Sequence, residues 1–428
     1  MDRGISPFLL TNRKEERYNN HIYSIPRKKG KTMDYRFSSA FANLAPSAIR
    51  EILKNAGDPS VIAFAAGNPN AASFPLEDIR QLTSDILDRN GPAALQYGTT
   101  EGYTPLREAV ARRQKERFHV GRDFDDVLIT SGGQQALELA CRVFCDPGDA
   151  VICEDPSFIG ALNAFRGVGA RVVGVPLGRD GMDIAILEEK LKSEPRARLI
   201  YVISNFQNPA GICTSLSKRK EIYRLAKQYG VMILEDNPYG ELRFSGEDIP
   251  TIKSMDEDGI VVYASSFSKI LSSGMRVGFA VAPKAAIAKM TVCKQTEDVH
   301  TNLLFQMLCH RFMTERDFDA HVKTIRDLYR KKCEIMLGAM EFSFPAAVEF
   351  TRPEGGLFVW CTLPEKIDLL SFVKAAMEKK VAVVPGTAFA TDTQKYTAHS
   401  FRVTYATPTD EQLAQGVSIL GEIAREMT

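Results

Sequence analysis

No apolar run in the 428-residue sequence approaches the ~18 residues that a spanning helix needs, so a transmembrane segment is not expected. The short apolar patch Ile5 to Leu10 lacks a cationic lead and a cleavage site, and does not read as a secretory signal. Cysteine is scarce and scattered. The eight residues (Cys141, Cys145, Cys153, Cys213, Cys293, Cys309, Cys333 and Cys361) form no CxxC pair and no zinc spacing, which excludes a disulfide-stapled scaffold and fits reduced thiols. No GxxxxGK[ST] motif occurs, which removes the P-loop reading. The stretch Gly167-Val-Gly169-Ala-Arg-Val-Val-Gly174 precedes a strand instead of following one, so it is a turn and not a dinucleotide fingerprint. Neither sign of charge dominates: 54 Lys and Arg against 53 Asp and Glu leave +1, too little for nucleic-acid binding driven by bulk charge. Internal repeats and low-complexity segments are also lacking.

What is present is an ordinary globular composition, 44% hydrophobic and 25% charged, in a chain long enough for two to three domain-sized units and a large core. Disorder and collagen are thereby excluded, and a soluble cytoplasmic protein is expected. The balanced charge hides an asymmetry. Residues 1–32 hold eight Lys and Arg (Arg3, Arg13, Lys14, Arg17, Arg27, Lys28, Lys29, Lys31) against three acids, a net +5, which leaves −4 for the rest. The run Arg27-Lys28-Lys29-Gly30-Lys31 suits contact with nucleic acid or an anionic surface. The preferred reading is a solvated extension ahead of a natural beginning at Met33-Asp34.

From about residue 100 to 290, amphipathic stretches alternate with short apolar runs: Val127–Ser131, Ala150–Cys153, Arg171–Val175, Leu199–Ile203, Val231–Leu234, Ile260–Tyr263 and Val277–Val281. Each is strand-length and apolar on both faces, which predicts an α/β fold with a mostly parallel seven-stranded sheet and helices on both faces. The clearest helix is predicted to start with Ser217 as N-cap, to bury Ile222, Leu225, Ala226 and Tyr229, and to stop at Gly230. After about residue 310 come a long charged helix (Phe318 to Leu337), short strands at Gly356 to Trp360 and Val381 to Val384, and a terminal helix from Thr409, which together predict a smaller α+β domain.

Three segments carry chemistry. In Ser265-Ser266-Phe267-Ser268-Lys269-Ile-Leu-Ser-Ser-Gly-Met-Arg276, a lysine follows a strand end among hydroxyls and stands seven residues before an arginine. That suits a Schiff-base amine beside a phosphate site, although such a segment is also compatible with a plain polar loop. The strand Val231 to Leu234 delivers Glu235 and Asp236, then Asn237-Pro238-Tyr239, to the carboxyl edge where open α/β sheets bind ligands. No His/Cys/carboxylate cluster accompanies the acids, so a metal is not expected. Ser131-Gly132-Gly133-Gln134 joins a strand to a helix and presents free N–H groups to an anion. His119, His300, His310, His321 and His399 have no motif context and read as surface or packing residues.

Together these motifs resemble the fold-type I pyridoxal 5'-phosphate (PLP) enzymes of the aspartate aminotransferase superfamily. Within it the chain is most similar to the kynurenine/2-aminoadipate aminotransferases and the catalytic domains of MocR-type regulators, from about Met33 to the C-terminus. The resemblance implies that Lys269 is the Schiff-base lysine, that Ser266, Ser268, Arg276 and the Gly133-Gln134 turn hold the phosphate, and that Asp236 pairs with the pyridine nitrogen. It implies Tyr239 and Asn208 at the phenolic oxygen, and Arg402 (in Ser400-Phe-Arg-Val-Thr404) at the substrate α-carboxylate. Gly67, in Ala65-Ala-Gly-Asn-Pro69, resembles the turn that closes over the same carboxylate. Tyr97, in Leu95-Gln-Tyr-Gly98, resembles the tyrosine that reaches the neighbouring subunit's phosphate, which implies a homodimer with shared active sites; a core aromatic is the other reading. Two departures stand out. Ala210 replaces the usual threonine after Asn208-Pro209, and Phe158 in Asp155-Pro-Ser-Phe158 replaces the usual stacking tyrosine, keeping the ring face and losing the hydroxyl.

The implied activity is transfer of an amino group from an L-amino acid (aromatic, 2-aminoadipate-like or varied) to a 2-oxo acid such as 2-oxoglutarate by a ping-pong cycle. A PLP lyase would share every cofactor residue. A MocR-type ligand sensor would need a winged-helix domain that residues 1–32 are too short to form. The expected organisation is a basic extension (1–32), an arm contributing to the small domain and dimer interface (33–75), a large PLP-binding domain (76–310) and a small C-terminal domain (311–428).

Overall fold

The apolar runs in the middle of the chain line up side by side. In the computed structural model, which describes residues 24–26, 32–42, 58, 60–391 and 394–428, they form one sheet. Its order is Asp125–Thr130, Gly278–Pro283, Val261–Ser266, Met232–Asp236, Ala197–Val202, Ala150–Asp155, Arg171–Gly178 and Gly181–Met182. All seven predicted strands are present. The eighth is a two-residue edge that doubles back antiparallel on Leu177 and Gly178, too short to leave a sequence pattern. Gly278–Pro283 is antiparallel to both neighbours, whereas the inner pairings are parallel.

The double-sided apolar character has a direct structural cause. Along Ala150–Asp155, Val151 and Cys153 enter one core cluster while Ala150 and Ile152 enter another; along Ala197–Val202, Leu199 and Tyr201 part from Ile200 and Val202 in the same way. Side chains alternate across a strand, so one run feeds two cores. Each fully buried Ile or Leu contributes about 1.5–3 kcal/mol, so both faces of the sheet add to stability. Several strands also run past their apolar stretch: Glu154-Asp155, Glu235-Asp236 and Ser265-Ser266 are in strand geometry. The backbone ladder continues there because its hydrogen bonds are indifferent to side-chain polarity.

The helix predicted to begin after Ser217 is Leu216–Tyr229, with Ser215 as N-cap. Ser215 wins because its N–H donates to the Asp180 carbonyl (3.0 Å) and its hydroxyl to the Asp180 carboxylate (3.0 Å), fixing the chain's entry two residues earlier. Ile222, Leu225 and Ala226 are buried as predicted, with Tyr229 half-buried. Arg219 is buried with them, which no hydrophobic pattern shows. Its guanidinium donates to the carbonyls of Thr214, Ile249, Pro250 and Ser204 and to Asn205 Oδ1, holding the segment that leads to Asn208.

Further along, Phe318–Ser343 packs against the terminal helix Asp410–Glu426. The first runs six residues beyond the predicted end and stops before Pro345; the second begins at a capping box of Thr409 and Gln412, as expected. A four-stranded sheet runs in the order Glu349–Phe350, Phe358–Thr362, Ser400–Thr404, Val384–Pro385. The strand predicted at Val381 to Val384 is split, since Val381–Ala382 pairs in parallel with Ile62–Ala63 and Val384–Pro385 joins the larger sheet. These elements belong to the compact unit Pro46–Thr428.

A separate unit covers Met1–Ala45, in which Ser24–Pro26 pairs antiparallel with Thr32–Asp34 and Ser39–Ala42 makes one helical turn. The eight basic residues of the extension and the patch Ile5 to Leu10 lie outside the described residues. Among the described residues, no helix is long and apolar enough to cross a membrane. All eight cysteines are free thiols.

Candidate active site

The carboxyl ends of the parallel strands open into a cavity of about 390 Å³. Of the residues singled out in the sequence, Gly67, Gly133, Gln134, Phe158, Asn208, Asp236, Tyr239, Ser266, Ser268, Lys269, Arg276 and Arg402 line it. Tyr97 does not. It stands 81% exposed with its ring edge-on to His300, centroids 5.7 Å apart.

Lys269 ends a single 3₁₀ turn, Phe267–Lys269, that follows the strand Val261–Ser266. The Ser266 hydroxyl caps this turn by accepting from Ser268 N (3.0 Å), which fixes where the lysine leaves the sheet. Lys269 Nζ donates to the Gly67 carbonyl at 2.8 Å. Burial first, and then the Arg402 and Arg276 guanidiniums, push the amine down to about 8. A neutral amine is therefore accessible near physiological pH.

Asp236 occupies the end of its strand, 4% exposed. Burial pushes its carboxyl up to about 7, opposed by the hydrogen bond from Tyr201 Oη to Oδ2 at 2.9 Å. Tyr201 itself is wholly buried, and burial together with Asp236 drives its phenol well upward, so it remains a donor. Beside the cavity, Glu154 accepts from Ile203 N (3.1 Å) and Gln207 Nε2 (3.2 Å) on one oxygen only, and burial pushes it up to about 8. Burial raises the Tyr239 phenol too.

The anion end is built around Gly132, at φ +82, which turns the strand Asp125–Thr130 into the helix Gly133–Phe144. A Cβ on Gly132 would stand 2.7 Å from Arg276 Cζ, so only glycine lets the guanidinium lie across the turn. Arg276 Nη1 reaches the Ser268 hydroxyl (3.4 Å), and Ser268 and Ser266 are linked Oγ to Oγ at 2.7 Å. A helix N-terminus, two hydroxyls and a guanidinium in one place form a site for a phosphate dianion.

Arg402, in the strand Ser400–Thr404, is 2% exposed. It donates from Nη1 to Asn208 Oδ1 (2.9 Å) and from Nη2 to the Ala65 carbonyl (2.8 Å), with Phe358 and Phe389 rings 4.2 and 5.0 Å from its Cζ. Burial lowers it to about 10, so it stays cationic at neutral pH. Its Nε is buried without a partner. The side chain lines the cavity, and a buried cation with no carboxylate partner among the described residues is costly until a ligand carboxylate pairs with it.

The donor set thus suits a ligand with a phosphate at one end, a protonated ring nitrogen facing Asp236, and a carboxylate near Arg402. PLP with an amino-acid substrate meets that description. Sequence reasoning missed Tyr201, Ile203, Leu137, Phe358, Asn68 and Ser273. Tyr201 and Ile203 lie in an apolar strand run whose pattern says only core, and Phe358 reads as a strand residue of the second sheet.

The model of the aminotransferase class I and II family matches residues 59–420. The aromatic-amino-acid aminotransferase 1 of Thermococcus litoralis is 40% identical over 401 residues, covering 92% of this chain and 96% of its own. The 2-aminoadipate transaminase of Thermus thermophilus is 40% identical, over 90% of this chain and 95% of its own. Among solved structures, Pyrococcus horikoshii kynurenine aminotransferase, in complex with PMP, superposes with a TM-score of 0.87 at 38% identity over 91% of this chain and 97% of its own. The chain belongs to the class I and II aminotransferases, and its activity is PLP-dependent transamination.

Proposed function

We propose that the preferred amino donors carry aromatic or 2-aminoadipate-like side chains and that 2-oxoglutarate is the acceptor, in a ping-pong cycle. The names of the two 40%-identical relatives support this range. The observation that carries the reading is the meeting of Lys269, Asp236 and Arg402 along one cavity at the carboxyl ends of the strands.

In this reading, Gly133, Gln134, Ser266, Ser268 and Arg276 hold the cofactor phosphate, Asp236 holds the ring-nitrogen proton, and Asn208 and Tyr239 bond the phenolic oxygen. Phe158 offers its ring face. The bound cofactor supplies an electron sink that makes the substrate Cα–H acidic. Arg402 clamps the α-carboxylate, with Gly67 closing the same end, so that the Cα–H bond is presented to Lys269. Lys269 Nζ takes the proton from Cα and returns one, serving as base and then acid.

Tyr97 is assigned to the second copy's phosphate in a cytoplasmic homodimer. Its exposure and its absence from its own chain's cavity support that assignment. We also retain the division into an arm (33–75), a large domain (76–310) and a small domain (311–428).

The test is a panel of amino donors with 2-oxoglutarate, read as glutamate formed, with Lys269→Ala alongside. The variant should lose at least about a hundredfold in rate. Normal turnover by Lys269→Ala, or release of ammonia without an oxo acid, would sink the reading.

A further inference from the structure

Phe158 and Gln134 reach the cavity from different elements. Phe158 is the N-cap of the helix Ile159–Val168, and Gln134 lies in the first turn of Gly133–Phe144. Both rest on a residue without a side chain. The Gly160 carbonyl accepts from Gln134 Nε2 at 2.7 Å. A Cβ on Gly160 would stand 2.6 Å from Gln134 Oε1 and 2.6 Å from Phe158 Cε1, and closer still to Phe158 Cζ. Those separations lie far inside van der Waals contact, so a methyl there forces the ring and the amide to move.

Backbone conformation does not explain the glycine. Gly160 lies in a helix and is not among the residues with positive φ. Alanine at a helical position is favoured over glycine, so local energetics argue for a side chain. What needs the empty volume is the Phe158 ring. Lacking a hydroxyl, this ring has no hydrogen bond to hold its tilt and depends on contact alone.

We propose that Gly160 is a positioning residue for the cofactor: its missing Cβ is the seat that turns the Phe158 ring face and the Gln134 amide toward the cavity. This rests on the reading of the cavity as the PLP site. The atoms in the way are the far ends of two side chains, so Gly160→Ala displaces them and leaves the helix intact. The chain should fold as well as before while its grip on the cofactor loosens.

The experiment is a PLP titration of cofactor-free wild type, Gly160→Ala, Phe158→Ala and the double variant, with visible circular dichroism of the bound cofactor and melting of the cofactor-free forms. Gly160→Ala should raise the PLP dissociation constant about tenfold, or about 1.4 kcal/mol. It should also reduce the visible dichroism, with an unchanged or higher melting temperature. In the Phe158→Ala background the same substitution should cost less than in the wild-type chain, because only the Gln134 amide is left for it to displace. Wild-type affinity and dichroism in Gly160→Ala, or equal losses in both backgrounds, would overturn the proposal. If Gly160→Ala does not fold, folding restored in the double variant supports the seat, and a double variant that also fails overturns it. Failure of the wild type to bind PLP would instead defeat the cofactor reading itself.

Discussion

The hydroxyl of Tyr201 donates to Oδ2 of Asp236 across 2.9 Å, between two neighbouring strands of the parallel sheet. It is the one side-chain hydrogen bond that favours the ionised form of this buried acid, and it leaves Oδ1 for a ligand. Burial works the other way. The ability of Asp236 to stay anionic opposite a cationic ring nitrogen is therefore supported by a residue that does not line the cavity.

Tyr201→Phe should weaken PLP binding about threefold to tenfold, the worth of one such hydrogen bond. Losing a donor to the carboxylate moves the Asp236 titration further above about 7, so the loss should be larger at pH 6 than at pH 8.5. Cofactor titrations at the two pH values decide it; equal weakening at both would assign Tyr201 to packing alone.

Glu154 offers a stability test. Its folded-state value of about 8 lies above the ordinary 4.5, so folding of the cofactor-free chain takes up a proton between those limits and loses stability as pH rises through them. Glu154→Gln removes that dependence. Melting temperatures of variant and wild type should therefore diverge in favour of the variant from about pH 5 to about pH 8, then run parallel. A constant offset across the range would mean that Glu154 is ionised in the fold.

Arg402→Lys keeps a positive charge and loses the fork. One carboxylate contact and one of the bonds to Asn208 and Ala65 must go, so kcat/KM should fall about tenfold to a hundredfold for both amino donor and oxo acid. Steady-state kinetics on both half-reactions test this; a loss confined to one substrate would place the shared carboxylate elsewhere.

The parts of this molecule that were legible in its sequence are those whose physics is local. Seven strands announced themselves because parallel strands buried on both faces must be apolar throughout. Lys269 and Asp236 stood out as polar residues at strand ends, and family resemblance supplied Arg402 and the other partners. Residues whose importance depends on a distant neighbour stayed hidden. Arg219 looks like a surface arginine until five acceptors from two loops converge on it, and Tyr201 looks like core until Asp236 is placed beside it. Ser215 and Ser217 are equally good caps by composition; a contact to Asp180 chooses between them.

The double-sided apolar strands leave one question that the carboxyl edge answers. When both faces of a strand enter a core, sliding it by one residue merely exchanges one greasy environment for the other, so the apolar run alone enforces alignment weakly. Glu154-Asp155, Glu235-Asp236 and Ser265-Ser266 change that, since a slip toward the centre would drag carboxylates and hydroxyls between the covering helices. Asp236 and Ser266, which line the cavity, thus belong to a row of polar stops that locks adjacent strands in step. Alignment of the reactive groups with one another is then enforced by the act of assembling the sheet.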